Sequence, residues 1–171
     1  MSDRRSQGEF VLCIYPSAKG FGFAVFEGSR SLVDWGVKGV HGERKNAQSL
    51  RKMRELLAFY RPDMLITEDY KGAASRRGSR IRELIDAISD LAAKKGVASR
   101  SFSRAEVRDG FGLTAKRAIA QSIAQEFPEL EPRLPPVRKI WMSEDARMNI
   151  FDAVGLGMTF FHAKGKRKRA A

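Results

Sequence analysis

Residues 10–37, FVLCIYPSAKGFGFAVFEGSRSLVDWGV, contain three short apolar runs that are separated by turn residues. The first run, residues 10–15, is rich in β-forming side chains and is followed by Pro16, which we expect to stop the strand. Large apolar and small residues alternate over residues 21–26, and residues 32–37 form the third run. Because the turns between the runs are short, the pattern predicts an antiparallel meander of three strands.

Helices and strands alternate along the rest of the chain. Apolar residues at steps of three and four predict helices over residues 46–60 and 79–95, and the run 64–67 between them predicts a strand. The later expected elements are a weak strand at 97–102, a short helix capped by Ser103, a helix from Thr114 to Phe127, and a final helix that Ser143 caps and that runs to His162. This order predicts an α/β fold: a mixed five-stranded sheet, its first three strands antiparallel, with helices on both faces, as in the ribonuclease H-like fold.

Composition and charge restrict the functional class. The chain has 171 residues, 43% of them hydrophobic, which is enough for one domain with its own core. The 32 Lys and Arg residues outnumber the 20 Asp and Glu residues, for a net charge of +12. Such a charge favours polyanions, above all nucleic acid, with an anionic membrane surface as the weaker alternative. One Cys and two His residues argue against a disulfide framework and against a metal site built from these residues.

The distribution of charge along the chain suggests its domain organisation. We expect a flexible lead over residues 1–9, a single domain over residues 10–163 and a disordered basic tail over residues 164–171. No apolar run reaches the length that a bilayer-spanning helix requires, and the polar start lacks the apolar stretch of a signal peptide. The cytoplasm is therefore the simplest compartment to expect.

Two groups of polar residues stand out as a candidate site. Glu68 and Asp69 follow the strand 64–67, at the end where ligands of α/β sheets gather. Because side chains alternate along a strand, only one of the two is expected to face a site there. The same placement also fits two residues that simply mark the exit of the strand from the core.

The final helix supplies the second group. Asp145, Asn149 and Asp152 follow one another at steps of four and three residues, so they share one face of a helix that begins at Ser143. Stabilisation of the helix N-terminus explains Asp145, but it does not explain Asp152, which lies among apolar neighbours. Carboxylates that cluster from a strand end and a packed helix repel one another without a cation. Mg²⁺ or Mn²⁺ would relieve that repulsion, and two such ions can hydrolyse a phosphodiester, so the pattern indicates a candidate nuclease.

Three stretches resemble the RuvC family of Holliday junction resolvases and its YqgF-type relatives. They are residues 12–25 in the first hairpin, residues 61–68 leading to Glu68, and residues 149–153, Asn-Ile-Phe-Asp-Ala, at the head of the last helix. The resemblance covers residues 10–161. It implies a ribonuclease H-like fold, a metal site of four carboxylates, DNA as the partner and a homodimer as the working form. The first hairpin is also similar in sequence to that of one domain of an actin-like ATPase. The chain is, however, too short for the two paired domains with which that group binds a nucleotide.

The sequence departs from the family pattern at two of the four acidic positions. The family's first-strand Asp corresponds to Tyr15, whose neutral hydroxyl is a poor substitute, and the first Asp of its helix pair corresponds to Asn149, which offers oxygen without charge. Asp145 is the candidate for replacing part of the lost charge. The resulting candidate catalytic set is Glu68, Asp152, Asp145, Asn149 and Tyr15, and the candidate metal ligands are Glu68, Asp152 and Asp145.

The departures favour one of two functions. We expect a RuvC-like protein that binds structured or branched DNA with impaired or no nuclease activity. The alternative is an active Mg²⁺- or Mn²⁺-dependent junction endonuclease that uses Glu68, Asp152 and Asp145. Tyr15 either fills the vacated pocket or stacks on a base, and the first is favoured because buried aromatic residues usually pack.

Basic and apolar residues outside this set have two interpretations each. The residues around the loop after Glu68 either contact phosphates or form a solvated face, and the tail is expected to add sequence-independent affinity. The candidate DNA contacts are Lys71, Arg76, Arg77, Arg80, Lys166, Arg167, Lys168 and Arg169. Arg138, Lys139 and Trp141 form a further candidate strip, although a structural role is favoured for Trp141. The stripe Ile81, Leu84, Ile85 and Ile88 is the candidate dimer interface, and core packing explains it equally well.

Overall fold

The structure is a computed structural model that describes residues 8–72 and 76–170. Its strands are β1 (Phe10–Ser17), β2 (Gly20–Glu27), β3 (Leu32–Gly39), β4 (Met64–Glu68) and β5 (Ala98–Phe102). They form one five-stranded sheet in the order β3-β2-β1-β4-β5. The β1–β2 and β2–β3 pairs are antiparallel, whereas the β1–β4 and β4–β5 pairs are parallel. The predicted mixed sheet with three antiparallel strands at its start is confirmed.

Helices cover both faces of this sheet. They are α1 (Lys45–Tyr60), α2 (Ser79–Lys94), α3 (Arg104–Phe111), α4 (Lys116–Glu126) and α5 (Met148–Ala170), with a 3-10 helix at Pro128–Arg133. Val11 and Cys13 of β1 belong to the core beneath α4 and α5, and the alternate residues Leu12 and Ile14 belong to the core beneath α1 and α2. All four side chains are fully buried, because a strand at the centre of a covered sheet has no solvent face.

The end of β1 differs from the expectation that Pro16 stops the strand. β1 continues to Ser17, and Pro16 pairs with Phe21 of β2. The pairing of β4 with β1 reaches only as far as Cys13. At Pro16 the strand therefore has a neighbour on one side, where a missing N–H is tolerated as it is on edge strands.

The start of α5 also differs from the prediction. The helix begins at Met148, so Ser143 does not cap it and Asp145 lies in the preceding loop. The Asp145 carboxylate accepts hydrogen bonds from the backbone N–H of Arg147, at 2.9 Å, and from its guanidinium, at 3.0 and 2.7 Å. Such local side-chain bonds compete with helix formation. The prediction that Asp145 shares a helical face with Asn149 and Asp152 is therefore wrong.

The basic end of the chain is helical in the structure, where the sequence predicts disorder from residue 164. α5 continues to Ala170, and Lys164 forms an ion pair with Glu9. Lys and Arg are good helix formers, and positive charge near a helix C-terminus interacts favourably with the helix dipole, which explains the continuation. Residues 1–7 of the expected flexible lead lie outside the described residues.

The apolar stripe of α2 packs into the core of the same chain. Leu84 and Ile88 are fully buried and pack against β1 and β4, while Ile81 and Ile85 are 8% and 4% exposed. This stripe is therefore core and is not available as a dimer interface. In the described residues, no helix combines the length and the hydropathy needed to cross a membrane.

Candidate functional site

The candidate site lies where the adjacent ends of β1 and β4 meet α5. In the parallel β1–β4 pair Cys13 is opposite Ile66, and Tyr15 and Glu68 each follow two residues later. Tyr15, Glu68 and Asp152 line one small cavity, together with apolar side chains from β5, α3 and α5. The structure thus brings together three of the predicted site residues, one from each of three elements.

Glu68 is engaged by a basic side chain. It is 4% exposed, and its Oε2 lies 2.7 Å from Nε of Arg77, which donates a hydrogen bond to it. The guanidinium carbon of Arg77 lies 4.5 Å from the centre of the Tyr15 ring. Arg77 therefore neutralises the buried carboxylate and covers Tyr15 at the same time, through a charge-assisted hydrogen bond and a cation–π contact.

Asp152 forms an ion pair with a basic side chain from another element. Nζ of Lys116, at the start of α4, lies 3.1 Å from Oδ2 of Asp152 and 2.5 Å from Oε1 of Glu144. The same Nζ lies 5.5 Å from the centre of the Tyr15 ring. Each of the two carboxylates in the cavity is thus paired with one cation, and both cations approach Tyr15.

The protonation of these groups follows from burial and from the paired charges. Burial raises the pKa of Asp152 to about 6, an effect that the charge of Lys116 partly offsets. Burial and the nearby Asp152 raise the pKa of Tyr15 to about 12, so its hydroxyl is neutral. Burial by itself lowers the pKa of Lys116, but the neighbouring Asp152, Tyr15 and Glu144 together outweigh this effect and raise that pKa overall. Lys116 therefore keeps its positive charge inside the site.

Asn149 fastens α5 to the first hairpin. Its Nδ2 donates a 2.9 Å hydrogen bond to Oγ of Ser17, and the residue is 5% exposed. The helix start lies so close to β2 that a Cβ built on Gly22 would be 2.2 Å from the backbone oxygen of Asn149. Asn149 therefore holds the helix against the sheet through its amide nitrogen.

The donors present do not fit a divalent metal ion. In residues 8–72 and 76–170, no group of three or more His, Cys, Asp or Glu residues is close enough to hold one. Hydrogen bonds from Arg147 occupy the Asp145 carboxylate and lower its pKa. The expected three-carboxylate set of Glu68, Asp152 and Asp145 is therefore not formed, and its two buried members face side-chain cations instead.

The predicted DNA contacts fall at different distances from this site. Arg76 and Arg77 line a larger cavity beside it, of about 420 Å³, whereas Arg80 bonds Asn46 at 2.9 Å and the carbonyl oxygens of the β1–β2 turn. Lys71 is exposed, next to Asp69, whose carboxylate accepts its backbone N–H. The positions of Lys166, Arg167, Lys168 and Arg169 follow Asp152 along α5 by at least 14 residues, which is about 21 Å at the helical rise.

Sequence reasoning missed Lys116, Arg104 and Glu144. The larger cavity is lined by five basic and three acidic side chains: Lys19, Arg76, Arg77, Arg104 and Lys116, and Glu68, Glu144 and Asp145. One signal for Lys116 was present. It is the first residue of α4, where a positive charge opposes the helix dipole, so a lysine there suggests a partner of opposite charge.

Solved structures share this architecture. Thermus thermophilus RuvC in complex with a Holliday junction substrate matches with a TM-score of 0.64 over 92% of this chain and 96% of that chain, at 16% identity. The chain has the RuvC-type resolvase fold. This RuvC-type fold also matches the yeast mitochondrial Holliday junction resolvase (TM-score 0.54, 13% identity, 95% of this chain and 84% of that chain). The fowlpox virus Holliday junction resolvase matches with a TM-score of 0.52 and 12% identity over 91% of this chain and 99% of that chain.

The RuvC-type fold places the three stretches that carry the sequence resemblance around one site. The first hairpin forms β1 and β2, the second stretch forms β4 with Glu68 at its end, and the third forms the first turns of α5. No protein-family model matches the chain, and no curated protein matches it significantly.

Proposed function

We propose that this protein binds structured or branched DNA through its RuvC-type fold and does not cleave it. The observation that carries the proposal is that both buried carboxylates of the site, Glu68 and Asp152, are paired with side-chain cations, Arg77 at 2.7 Å and Lys116 at 3.1 Å. These cations belong to the chain, so their charge is present at the site at every metal concentration.

A catalytic metal would meet two obstacles at this site. It would have to displace Arg77 from Glu68 and Lys116 from Asp152, and the displaced cations would stay nearby and repel it. Tyr15 adds no charged ligand, because its hydroxyl is neutral near pH 7. Phosphodiester hydrolysis by two metals needs ligands for both ions, and the residues here supply too few.

Binding of DNA is supported by charge and by fold. The net charge is +12, and five basic side chains line the cavity of about 420 Å³ beside the two carboxylates. One protein of the same fold is solved with a Holliday junction substrate. We assign phosphate contacts to Lys71 and Arg76 and to the basic end of α5, whereas Arg77 stays paired with Glu68. We also propose a homodimer as the binding form, with a contact surface other than the buried α2 stripe.

The competing proposal is a Mg²⁺- or Mn²⁺-dependent junction endonuclease. Its support is that Glu68 and Asp152 line the same cavity at the position that the family resemblance indicates. Cleavage would then require a metal to replace the two cations on these carboxylates.

One experiment separates binding from cleavage. A labelled four-way junction and a linear duplex of matched sequence are incubated with the full chain in EDTA, Mg²⁺ or Mn²⁺, with an active RuvC-type resolvase as the positive control. We expect a complex with the junction and no product under any condition. Nicks that require Mn²⁺ and disappear in Glu68→Gln and Asp152→Asn, but not in the neighbouring control Asp69→Asn, would establish the endonuclease instead. Failure to bind either DNA would reject both proposals, and light scattering of the free protein tests the homodimer.

A further inference from the structure

An exposed apolar segment lies beside the candidate site. Val137, Ile140, Trp141 and Met142 are 70%, 98%, 79% and 46% exposed, and they are four of the six large hydrophobic residues that are most exposed in the described part of the chain. The structural role expected for Trp141 is therefore wrong, because its ring is not packed into the core. A domain in water gains nothing in stability from such a cluster, which makes it a candidate contact surface.

Basic side chains are interleaved with these apolar ones. Arg138 and Lys139 lie within the same segment, and Nζ of Lys139 is 5.3 Å from the centre of the Trp141 ring. An occupant that is only apolar would leave both charges without partners. A nucleotide offers a flat base for the indole and a phosphate for the cations, which is the combination that single-stranded nucleic acid presents to its binding proteins.

The segment is continuous with the site through a second cavity. This cavity, of about 300 Å³, is lined by Arg138 and Met142 and shares Arg104, Lys116 and Glu144 with the cavity next to Tyr15. At the beginning of the segment, Nη1 of Arg117 donates a 2.7 Å hydrogen bond to the carbonyl oxygen of Pro135, which holds the loop against α4. This cavity therefore places the basic Arg104, Arg117 and Arg138, together with the acidic Glu144 and Asp145, between the paired carboxylates and the segment that carries Trp141.

We propose that residues 137–142, the Trp141 segment, bind an unpaired DNA strand, with a base stacked on Trp141 and phosphates along Arg104 and Arg138. This inference rests on the proposed function and narrows it, because it names unpaired bases as the feature that the protein recognises. In a fully paired duplex the faces of the bases are already stacked on one another, so Trp141 gains no stacking partner there. Branch points, gaps and single-stranded ends supply such faces.

The test compares paired and unpaired probes with matched aromatic variants of the full chain. The probes are a labelled dT20 strand, a gapped duplex and a fully paired duplex, and the variants are Trp141→Ala, Trp141→Phe and Phe59→Ala. Phe59 is the control because it is also 79% exposed but lies on α1. We expect Trp141→Ala to weaken binding of dT20 and of the gapped duplex about tenfold, as for the loss of one stacked base, and binding of the paired duplex less than about twofold. Trp141→Phe should retain most of the affinity, and Phe59→Ala all of it.

Fluorescence gives a second measurement on the same probes. The chain has two tryptophans, Trp35 and Trp141, so Trp35→Phe leaves Trp141 as the reporter. We expect its emission to be quenched on titration with dT20 and to change little with the paired duplex.

Three outcomes would overturn the inference without touching the proposed function. Junction binding with no effect of Trp141→Ala on any probe would show that the segment does not bind DNA. Equal losses on paired and unpaired probes would show that it does not recognise unpaired bases. A dimer in light scattering that Trp141→Ala converts to a monomer would assign the segment to a second copy of the chain. If the native protein binds neither the junction nor dT20, the proposed function itself fails.

Discussion

Lys116 forms an ion pair with Asp152 in which Nζ lies 3.1 Å from Oδ2, although the two residues come from different helices. The Asp152 side chain is 12% exposed, so the pair is largely removed from water. A charge in such a position is stable only with its partner. The pair therefore links the stability of the fold to the electrostatics of the site.

Removal of the cation should destabilise the protein. In Lys116→Met the carboxylates of Asp152 and Glu144 lose their partner while the length of the side chain is preserved, and we expect a loss of about 3 kcal/mol in the free energy of unfolding. Lys116→Arg retains the charge and serves as the control, with a loss of less than about 1 kcal/mol. Urea unfolding at pH 7 measures both, and equal stabilities for the native protein and Lys116→Met would show that the ion pair contributes nothing.

The stability of the protein should depend on pH through Asp152. The folded protein raises the pKa of this carboxyl from 3.8 to about 6, so the fold binds the proton more tightly than the unfolded chain does. The stability that the bound proton contributes is fully present below about pH 4. It is lost as the pH rises to about 6 and is absent at higher pH. The native protein should therefore lose about 2–3 kcal/mol of its free energy of unfolding as the pH rises from 4 to 7, and Asp152→Asn, which has no carboxyl at this position, should not show this loss. Urea unfolding at several pH values tests this, and a stability difference that is constant with pH would refute it.

Divalent ions should not stabilise the native protein. We expect Mg²⁺ or Mn²⁺ at millimolar concentration to leave the melting temperature unchanged, because Arg77 and Lys116 already neutralise Glu68 and Asp152. Tyr15→Asp adds a third carboxylate against the two cations, so Mn²⁺ should then raise the melting temperature. Tyr15→Asn, which has nearly the same size as the Asp variant without the charge, is the matched control. A Mn²⁺ response of the native protein that is lost in Asp152→Asn would instead demonstrate a native metal site.

The packing of α5 on the sheet should not tolerate a methyl group at Gly157. A Cβ at this position would lie 2.3 Å from Cε2 of Phe26 and 2.8 Å from Sγ of Cys13. We expect Gly157→Ala to lower the free energy of unfolding by about 1–3 kcal/mol through overpacking. Gly165, in the same helix, has no neighbour within 4 Å of a Cβ, so Gly165→Ala should be neutral or stabilising by up to about 1 kcal/mol. Thermal unfolding measures the stability of both variants, and we expect Gly157→Ala to be clearly the less stable one. Equal stabilities would show that α5 does not pack closely against β1 and β2 at Gly157.

The basic end of α5 should add affinity for DNA without shape preference. Deletion of residues 165–171 removes Lys166, Arg167, Lys168 and Arg169 but keeps the Lys164–Glu9 pair. On duplex arms, the slope of log affinity against log salt should become shallower by about 0.9 for each phosphate that the shortened chain no longer neutralises. Arg76→Ala, at the cavity, should instead reduce the preference for a junction over linear duplex. Competition assays at two salt concentrations measure both the affinity and the preference for a junction. Loss of all binding on deletion of residues 165–171 would contradict the proposal that the cavity lined by Arg76 contacts DNA.

The sheet and the helices were predictable because their signals are local. β1 carries apolar residues at Val11, Leu12, Cys13 and Ile14 in succession, a short run that is typical of a strand covered on both faces, and all four are buried. Ser103 and Glu106 have the spacing of a helix cap. The capping hydrogen bond is present in the structure, where the Glu106 N–H donates to Oγ of Ser103 at 3.1 Å. Glu68 and Asp152 could be singled out for the same reason, since each is a carboxylate where the surrounding pattern indicates burial.

The partners of those carboxylates depended on the tertiary structure. Arg77 follows Glu68 by nine residues, and Lys116 precedes Asp152 by a whole helix and a loop, so neither pair corresponds to a helical or strand period. The path of the intervening loops brings them together, and periodicity carries no information about that path. For Asp145, in contrast, the periodic spacing to Asn149 and Asp152 was misleading. Hydrogen bonds from Arg147, two residues away, hold Asp145 outside the helix that this spacing predicts. The sequence by itself therefore determined the sheet, the helices and the two buried acids, whereas tertiary packing decided that Arg77 and Lys116 neutralise these acids and that Trp141 stays in solvent.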